Sequence, residues 1–239
     1  YKIILVDQRG SGLSTPHANL ENNTTQDLLD DFEAIRQKLG VDKWLLFGGT
    51  WGSTLSLAYA IKYKEHISGM ILRGIFLATK REVDWIMQGA KQFKLSEWQE
   101  FIAPLTILER KDVLASYYAK LTDEDKSIQK VFSKKFAVWE ACLSTLEPNS
   151  AMLQAFNNEA FSLALARIEA HYLINDCFFS TNDFLLANIN TIQDVPLVIV
   201  QGKYDLVCPP MAAYELHQAH KQSDLILTCA GHSAFDLET

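Results

Sequence analysis

The sequence predicts an α/β protein: a mostly parallel, doubly wound sheet with a helical cap inserted between its strands. Three observations lead there. Short apolar runs alternate with helix-spaced apolar residues toward both ends of the chain. A glycine-rich strand–turn–helix runs from Trp44 to Thr54. Between about Lys80 and Asn188 lies a helical block, rich in charge and aromatics and without a convincing strand.

Taken in order, Tyr1 to Val6 reads as a strand and Asp7-Gln8-Arg9-Gly10-Ser11-Gly12 as the loop leaving it. Asp7 and Arg9 suit a loop-bracing ion pair better than chemistry. After a polar stretch to Asn23, Thr24 or Thr25 caps a helix with apolar positions Leu28, Leu29, Phe32, Ile35 and Leu39, and Gly40 ends it. Trp44 to Phe47 is a short, wholly apolar strand, which suits cover on both faces. From Thr54 a well-buried helix follows through Leu55, Leu57, Ala58, Ala60 and Ile61, and Ser68 to Phe76 supplies the next strand. Strand, helix, strand, helix implies parallel strands joined by right-handed crossovers.

In the helical block, Trp85, Phe93, Trp98, Phe101, Tyr117, Phe132, Phe136 and Trp139 are expected mostly as core between helices. Sheet character returns at Val195 to Val200, followed by a loop from Gln201 to Pro210, a helix from about Met211 to His220 and a strand from Asp224 to Thr228. Residues 1–77 and 191–239 therefore form the expected core, and 78–190 the cap, placed to roof a site at the strand ends. The chain opens directly in strand-like sequence, so the expectation is that further N-terminal strands and the C-terminal end are missing from it. That would leave a sheet edge or apolar surface uncovered.

Composition narrows the function classes. The chain has 239 residues, 48% hydrophobic and 21% charged, as a globular domain has. A net charge of −7 argues against a general nucleic-acid binder and leaves small molecules and peptides, including cationic ones, as ligands. Cys142, Cys177, Cys208 and Cys229 form no Cys-x-x-Cys pair and no zinc-site spacing with histidine, so reduced thiols in a cytoplasmic protein are expected. No apolar run reaches the roughly 18 residues needed to span a membrane.

Chemistry concentrates at Gly48-Gly49-Thr50-Trp51-Gly52. Strand–Gly-x-nucleophile-x-Gly–helix is the nucleophile elbow, which lifts a side-chain oxygen above the strand ends and is expected to hold the nucleophile at a strained backbone angle, unwelcome to a β-branched threonine. Its glycines are expected to permit positive backbone angles and close helix–strand approach. A phosphate loop would require a lysine that is absent between Gly48 and Thr54, and the dinucleotide fingerprint fails on spacing. A strand–turn–helix with no chemistry is the plain alternative. Against it, Asp205 follows the strand at Val195 and His232 follows the last strand, so three reactive types fall at C-terminal strand ends, where such sheets bind ligands. A hydroxyl needs an imidazole to take its proton, and the imidazole needs a carboxylate to fix its tautomer. The order nucleophile, acid, histidine is that of α/β hydrolases.

Asp7-Gln8-Arg9-Gly10-Ser11-Gly12, Gly48 to Thr54, Gly202-Lys203-Tyr204-Asp205 with Cys208-Pro209, Ala230-Gly231-His232-Ser233-Ala234, and in the cap Trp139-Glu140 and Ala166-Arg167-Ile168-Glu169-Ala170-His171-Tyr172 together resemble the proline iminopeptidase (prolyl aminopeptidase) family. The resemblance covers nearly the whole chain. It implies the α/β-hydrolase fold and release of N-terminal proline from peptides by acyl transfer and hydrolysis, with no metal or organic cofactor. It assigns the nucleophile position to Thr50, the general base and acid to His232, the orienting carboxylate to Asp205, and one oxyanion donor to the Trp51 backbone N–H. It gives Glu140 and Glu169 to the free α-amine of the substrate. The alternative for these is pairing of Glu140 with Lys134 or Lys135, and of Glu169 with Arg167 or His171.

Two other functions stay open: a related esterase or amidase, and a non-catalytic peptide-binding homologue. Three departures bear on the choice. The family's serine is Thr50 here, its His-Gly-Gly-Pro-Gly segment is absent, and the tail ends soon after His232. The expectation is a protein that binds substrate but turns it over poorly.

Overall fold

The computed structural model describes residues 2–147 and 149–235. In chain order the elements begin α1 (Thr25–Lys38), β1 (Trp44–Thr50), α2 (Trp51–Lys62) and β2 (Ile67–Ile75). A helical stretch follows: α3 (Lys80–Met87), α4 (Leu95–Ile102), α5 (Val113–Leu121), α6 (Lys126–Ser144), α7 (Ser150–Phe156), α8 (Glu159–Ile174) and α9 (Phe184–Asn188). The chain then returns to β3 (Leu197–Gly202), α10 (Pro210–Ala219) and β4 (Asp224–Thr228). No helix among the described residues is long and apolar enough to cross a membrane.

The chain forms two compact units. The first comprises Tyr1–Leu28, Lys91–Cys142 and Asn149–Phe178. It is helical, and its core is an aromatic cluster, as expected for most of these rings: Phe101 stacks on Tyr117 at 4.3 Å and on Trp139 at 5.5 Å, and Trp98 meets Trp139 edge-on at 5.4 Å. The buried Tyr117 hydroxyl donates to the Phe101 carbonyl, so burying the ring leaves no polar atom unmet. Asp112, Asn149 and Asn158 cap α5, α7 and α8 through their side-chain oxygens. Phe93, expected in the core, is exposed instead.

The second unit comprises Leu29–Ala90, Leu143–Pro148 and Phe179–Thr239 and contains the sheet. Four strands run parallel in the order β1-β2-β3-β4. The apolar α2 packs on β1 and β2, and residues 53–60 of it are buried throughout. One buried carboxylate fastens α1 to α2: Glu33 accepts from Arg36 Nε and Nη2 (2.9 and 2.7 Å), Gln37 (2.8 Å) and the Tyr59 hydroxyl (2.7 Å). At the start of α1, Thr24 and Asp27 exchange backbone and side-chain hydrogen bonds, which makes Thr24 the cap.

Three expectations fail. Residues 2–8 form no strand, and Ile3 and Leu5 are 80% and 91% exposed; no strand among the described residues lies beside them to complete a ladder, and apolar composition alone does not make one. Tyr1 lies outside the described residues. In the following loop Asp7 accepts from the Leu13 N–H at 2.9 Å, while Arg9 donates to the Asn22 carbonyl at 2.6 Å and approaches Asp27 at 3.8 Å, so the bracing uses other partners. Finally, β1 is not covered on both faces: Leu45 and Phe47 are 48% and 76% exposed. Their side chains share one face, where no layer of the described residues covers them.

Candidate active site

The site grows from the end of β1. Thr50 is the last residue of the strand and the cap of α2, with φ 53° and ψ −117°. The positive angle falls on the threonine, as expected for an elbow nucleophile, and not on the neighbouring glycines. Gly48 serves close approach instead, since a Cβ there would lie 2.2 Å from the Gly52 carbonyl oxygen. The bend is held from within: Ser53 Oγ donates to the Thr50 carbonyl at 2.7 Å and accepts the Phe76 N–H at 3.1 Å. Thr54 Oγ1 donates to the Phe76 carbonyl at 2.5 Å. Both side chains are fully buried, so these bonds tie the turn to the segment leaving β2.

Three side chains expected to work together do come together. Thr50 Oγ1 lies 2.6 Å from His232 Nε2, and His232 Nδ1 lies 2.8 Å from Asp205 Oδ2. A carboxylate only accepts, so this contact assigns the ring proton to Nδ1 and leaves the Nε2 lone pair facing the hydroxyl. Asp205 Oδ1 accepts from the Val207 and Cys208 N–H groups at 2.9 and 2.7 Å, which fixes the plane of the carboxylate. The loops carrying Asp205 and His232 are joined by Lys203 N–H to the Thr228 carbonyl (2.9 Å) and Tyr204 N–H to the Ala230 carbonyl (3.1 Å). Trp51 opens α2, so its N–H belongs to the helix's amino end beside the Thr50 hydroxyl carrier.

Sequence reasoning missed several supporting residues. Arg73 Nη1 donates to the His232 carbonyl at 2.8 Å. Gly74, at φ 50°, makes room for the imidazole, because a Cβ there would lie 3.0 Å from His232 Cε1. Gln201 Nε2 reaches Asp205 Oδ2 at 3.2 Å. Trp85, expected among the cap aromatics, donates its indole N–H to the Leu206 carbonyl at 2.8 Å, beside Asp205. Glycine at Gly74 and the charge of Arg73 inside an apolar strand were signals, though neither indicates its distant partner.

In the helical unit, Glu140 on α6 and Glu169 on α8 are hydrogen-bonded carboxyl groups. Burial first, then the Glu140 charge and the shared hydrogen bond, push Glu169 well above the ordinary carboxylate range. Three of the four alternative partners are engaged elsewhere. Lys135 pairs with Glu100 at 2.8 Å, Arg167 donates to the Ala18 and Leu121 carbonyls, and His171 contacts the Asn23 carbonyl at 3.1 Å. Among the described residues no group of three His, Cys, Asp or Glu could hold a metal ion.

Known proteins bear on this geometry. A family model described as the alpha/beta hydrolase fold matches residues 1–239. A probable proline iminopeptidase of Leptolyngbya boryana is 45% identical over 238 residues, covering 99% of this chain and 74% of that protein. A proline iminopeptidase of Xylella fastidiosa is 42% identical, with 99% and 76% covered, and one of Arabidopsis thaliana 44% identical, with 98% and 62% covered. Among solved structures, an esterase from Rhodococcus sp. ECU1013 superposes with a TM-score of 0.61 over 95% of this chain and 72% of its own, at 18% identity, a likeness of fold. On these matches, the chain belongs to the proline iminopeptidase family of α/β-hydrolase enzymes.

Proposed function

We propose that this protein releases N-terminal proline from peptides, with Thr50 in the nucleophile position. The observation carrying the reading is the unbroken hydrogen-bonded series from Thr50 Oγ1 through His232 to Asp205. His232 Nε2 takes the hydroxyl proton as Oγ1 attacks the proline carbonyl, and Asp205 stabilises the imidazolium. The Trp51 N–H is one donor for the oxyanion. The imidazolium then protonates the departing amine, and water, activated by the same ring, frees proline from the ester. No metal or organic cofactor enters these steps.

Glu140 and Glu169, in the cap expected over residues 78–190, take the substrate's free α-ammonium. Two adjacent carboxyls in a buried setting retain a proton between them, and an arriving cation replaces it. Such a pair favours a free N-terminus over a blocked one, which makes the reaction that of an exopeptidase.

Thr50 makes the protein a slow member of its family. Its extra methyl restricts χ1 and crowds the carbon bearing the nucleophile. Substrate affinity is retained in this reading because Thr50 acts on the acyl carbon and Glu140 and Glu169 act on the amine. Turnover of prolyl amides compared with simple esters tests the reading. Faster cleavage of prolyl amides supports it, a preference for esters points to an esterase, and binding of prolyl peptides with no turnover even after Thr50→Ser points to a peptide-binding protein.

A further inference from the structure

Gln201 is the last residue but one of β3 and is completely buried. The β2–β3 ladder ends at Arg73 opposite Val200, and beyond it the strands diverge. There the Gln201 side chain takes over from the missing backbone partner, because its Oε1 accepts the Ile75 N–H at 3.0 Å. Its Nε2 faces three acceptors: the Cys208 carbonyl at 2.9 Å, Asp205 Oδ2 at 3.2 Å and the Gly202 carbonyl at 3.4 Å. The Ile75 N–H fixes which end of the amide is oxygen, so the other end is necessarily the donor. Asp205 Oδ2 is also the atom that holds His232 Nδ1 at 2.8 Å. One buried amide thus closes the split between two strands and shares the oxygen that orients the histidine.

We propose that Gln201 is a positioning residue that sets the orientation and proton affinity of the Asp205–His232 pair. The inference rests on the reading of Thr50, His232 and Asp205 as the reacting machinery. An N–H donated to Oδ2 withdraws negative charge from the oxygen that stabilises imidazolium. With that donor present the ring gives up its proton more readily; without it the carboxylate holds the imidazolium more firmly. Among the described residues, the charged groups set against His232 are Asp205, from the loop after β3, and Arg73, from β2, whose guanidinium bonds the His232 carbonyl. Arg73 is untouched by a change at Gln201, so the effect is read against a constant background.

The test is a titration of the His232 Cε1–H resonance in the intact chain, followed by NMR, which needs no turnover. Gln201→Met removes the donor at nearly constant volume. Gln201→Asn keeps a buried amide but shortens its reach by one carbon–carbon bond, about 1.5 Å, and serves if the methionine variant fails to fold. In either folded variant the His232 midpoint is expected to rise by about half a pH unit, roughly a threefold gain in proton affinity. In a Thr50→Ser background, the acid limb of kcat/KM should move upward with it, and kcat should fall with KM little changed. A folded variant whose His232 midpoint stays within about 0.2 unit of the parent overturns the proposal. If the midpoint moves while the serine form of the protein has no prolyl amidase activity, the link between Gln201 and the pair stands and the reading of the site fails.

Discussion

Thr50→Ser is the substitution whose effect can be worked furthest from the structure. Thr50 carries φ 53° and ψ −117°, a conformation least suited to a β-branched residue. Strain of this kind costs on the order of 1–3 kcal/mol, and serine relieves the part due to branching. The hydroxyl already lies 2.6 Å from His232 Nε2, so the distance for proton transfer is not what the threonine compromises. With Oγ1 turned to the imidazole, the methyl occupies another staggered position on the same carbon. On the proposed reading, it is the methyl that crowds the approach of the acyl carbon. A displacement of the reacting atoms by about 1 Å costs roughly a hundredfold in rate, or about 2.7 kcal/mol of barrier. Thr50→Ser should therefore raise kcat on a chromogenic prolyl amide by roughly 10–100-fold, with KM nearly unchanged. Equal kcat for the two forms would refute the reasoning, and a change confined to KM would place the methyl's effect in substrate binding.

Four further outcomes follow from the structure. Gly74→Ala puts a Cβ 3.0 Å from His232 Cε1 at a backbone φ of 50°, so kcat should drop at least tenfold and the melting temperature should fall; an active, equally stable variant would show that the imidazole has room to spare. Glu140→Gln removes a proposed partner of the substrate ammonium, and KM for a free-amine substrate should rise by about 10–100-fold in steady-state kinetics. Because Glu169 holds its proton above the ordinary carboxylate range, KM in the parent should fall as pH rises through its ionisation, until the substrate amine itself loses its proton; a KM flat in pH would count against the pair. Glu33, held far below 4.5 chiefly by Arg36, contributes stability that is present above the unfolded value and lost as pH falls toward the folded one. Glu33→Gln should lower stability by about 3 kcal/mol near neutral pH, as measured by urea denaturation, and should flatten the acid dependence.

Much of the fold was legible because it rests on local pattern. The strand from Asp224 to Thr228 and the start of β1 at Trp44 match the apolar runs that predicted them, and the crossover helices fix the parallel sense. Residues 2–6 misled because a strand is a pairing, and pairing partners are not written in the run itself. Leu45 and Phe47 misled for a related reason: an apolar strand asks for cover on two faces, but only the packed layers decide whether both receive it.

The site divides in the same way. Thr50, Asp205 and His232 were visible as candidates because order and strand-end position are sequence properties, and the structure brings their side chains within hydrogen-bonding distance. Gln201, Arg73 and Gly74 were not, since each acts on a partner 4 to 159 positions away through one directional contact. The strained angle expected of an elbow nucleophile falls on Thr50, while the neighbouring glycines take no positive angle.

The central claim is that this site cleaves after a free N-terminal proline. Its most direct test offers the protein, as the threonine form and as Thr50→Ser, equal amounts of a prolyl amide and its N-acetylated counterpart, and follows both products chromatographically. The account predicts release from the free-amine substrate alone, faster in the serine form and abolished by His232→Ala. Equal release from both substrates, or none from either in the serine form, would contradict it.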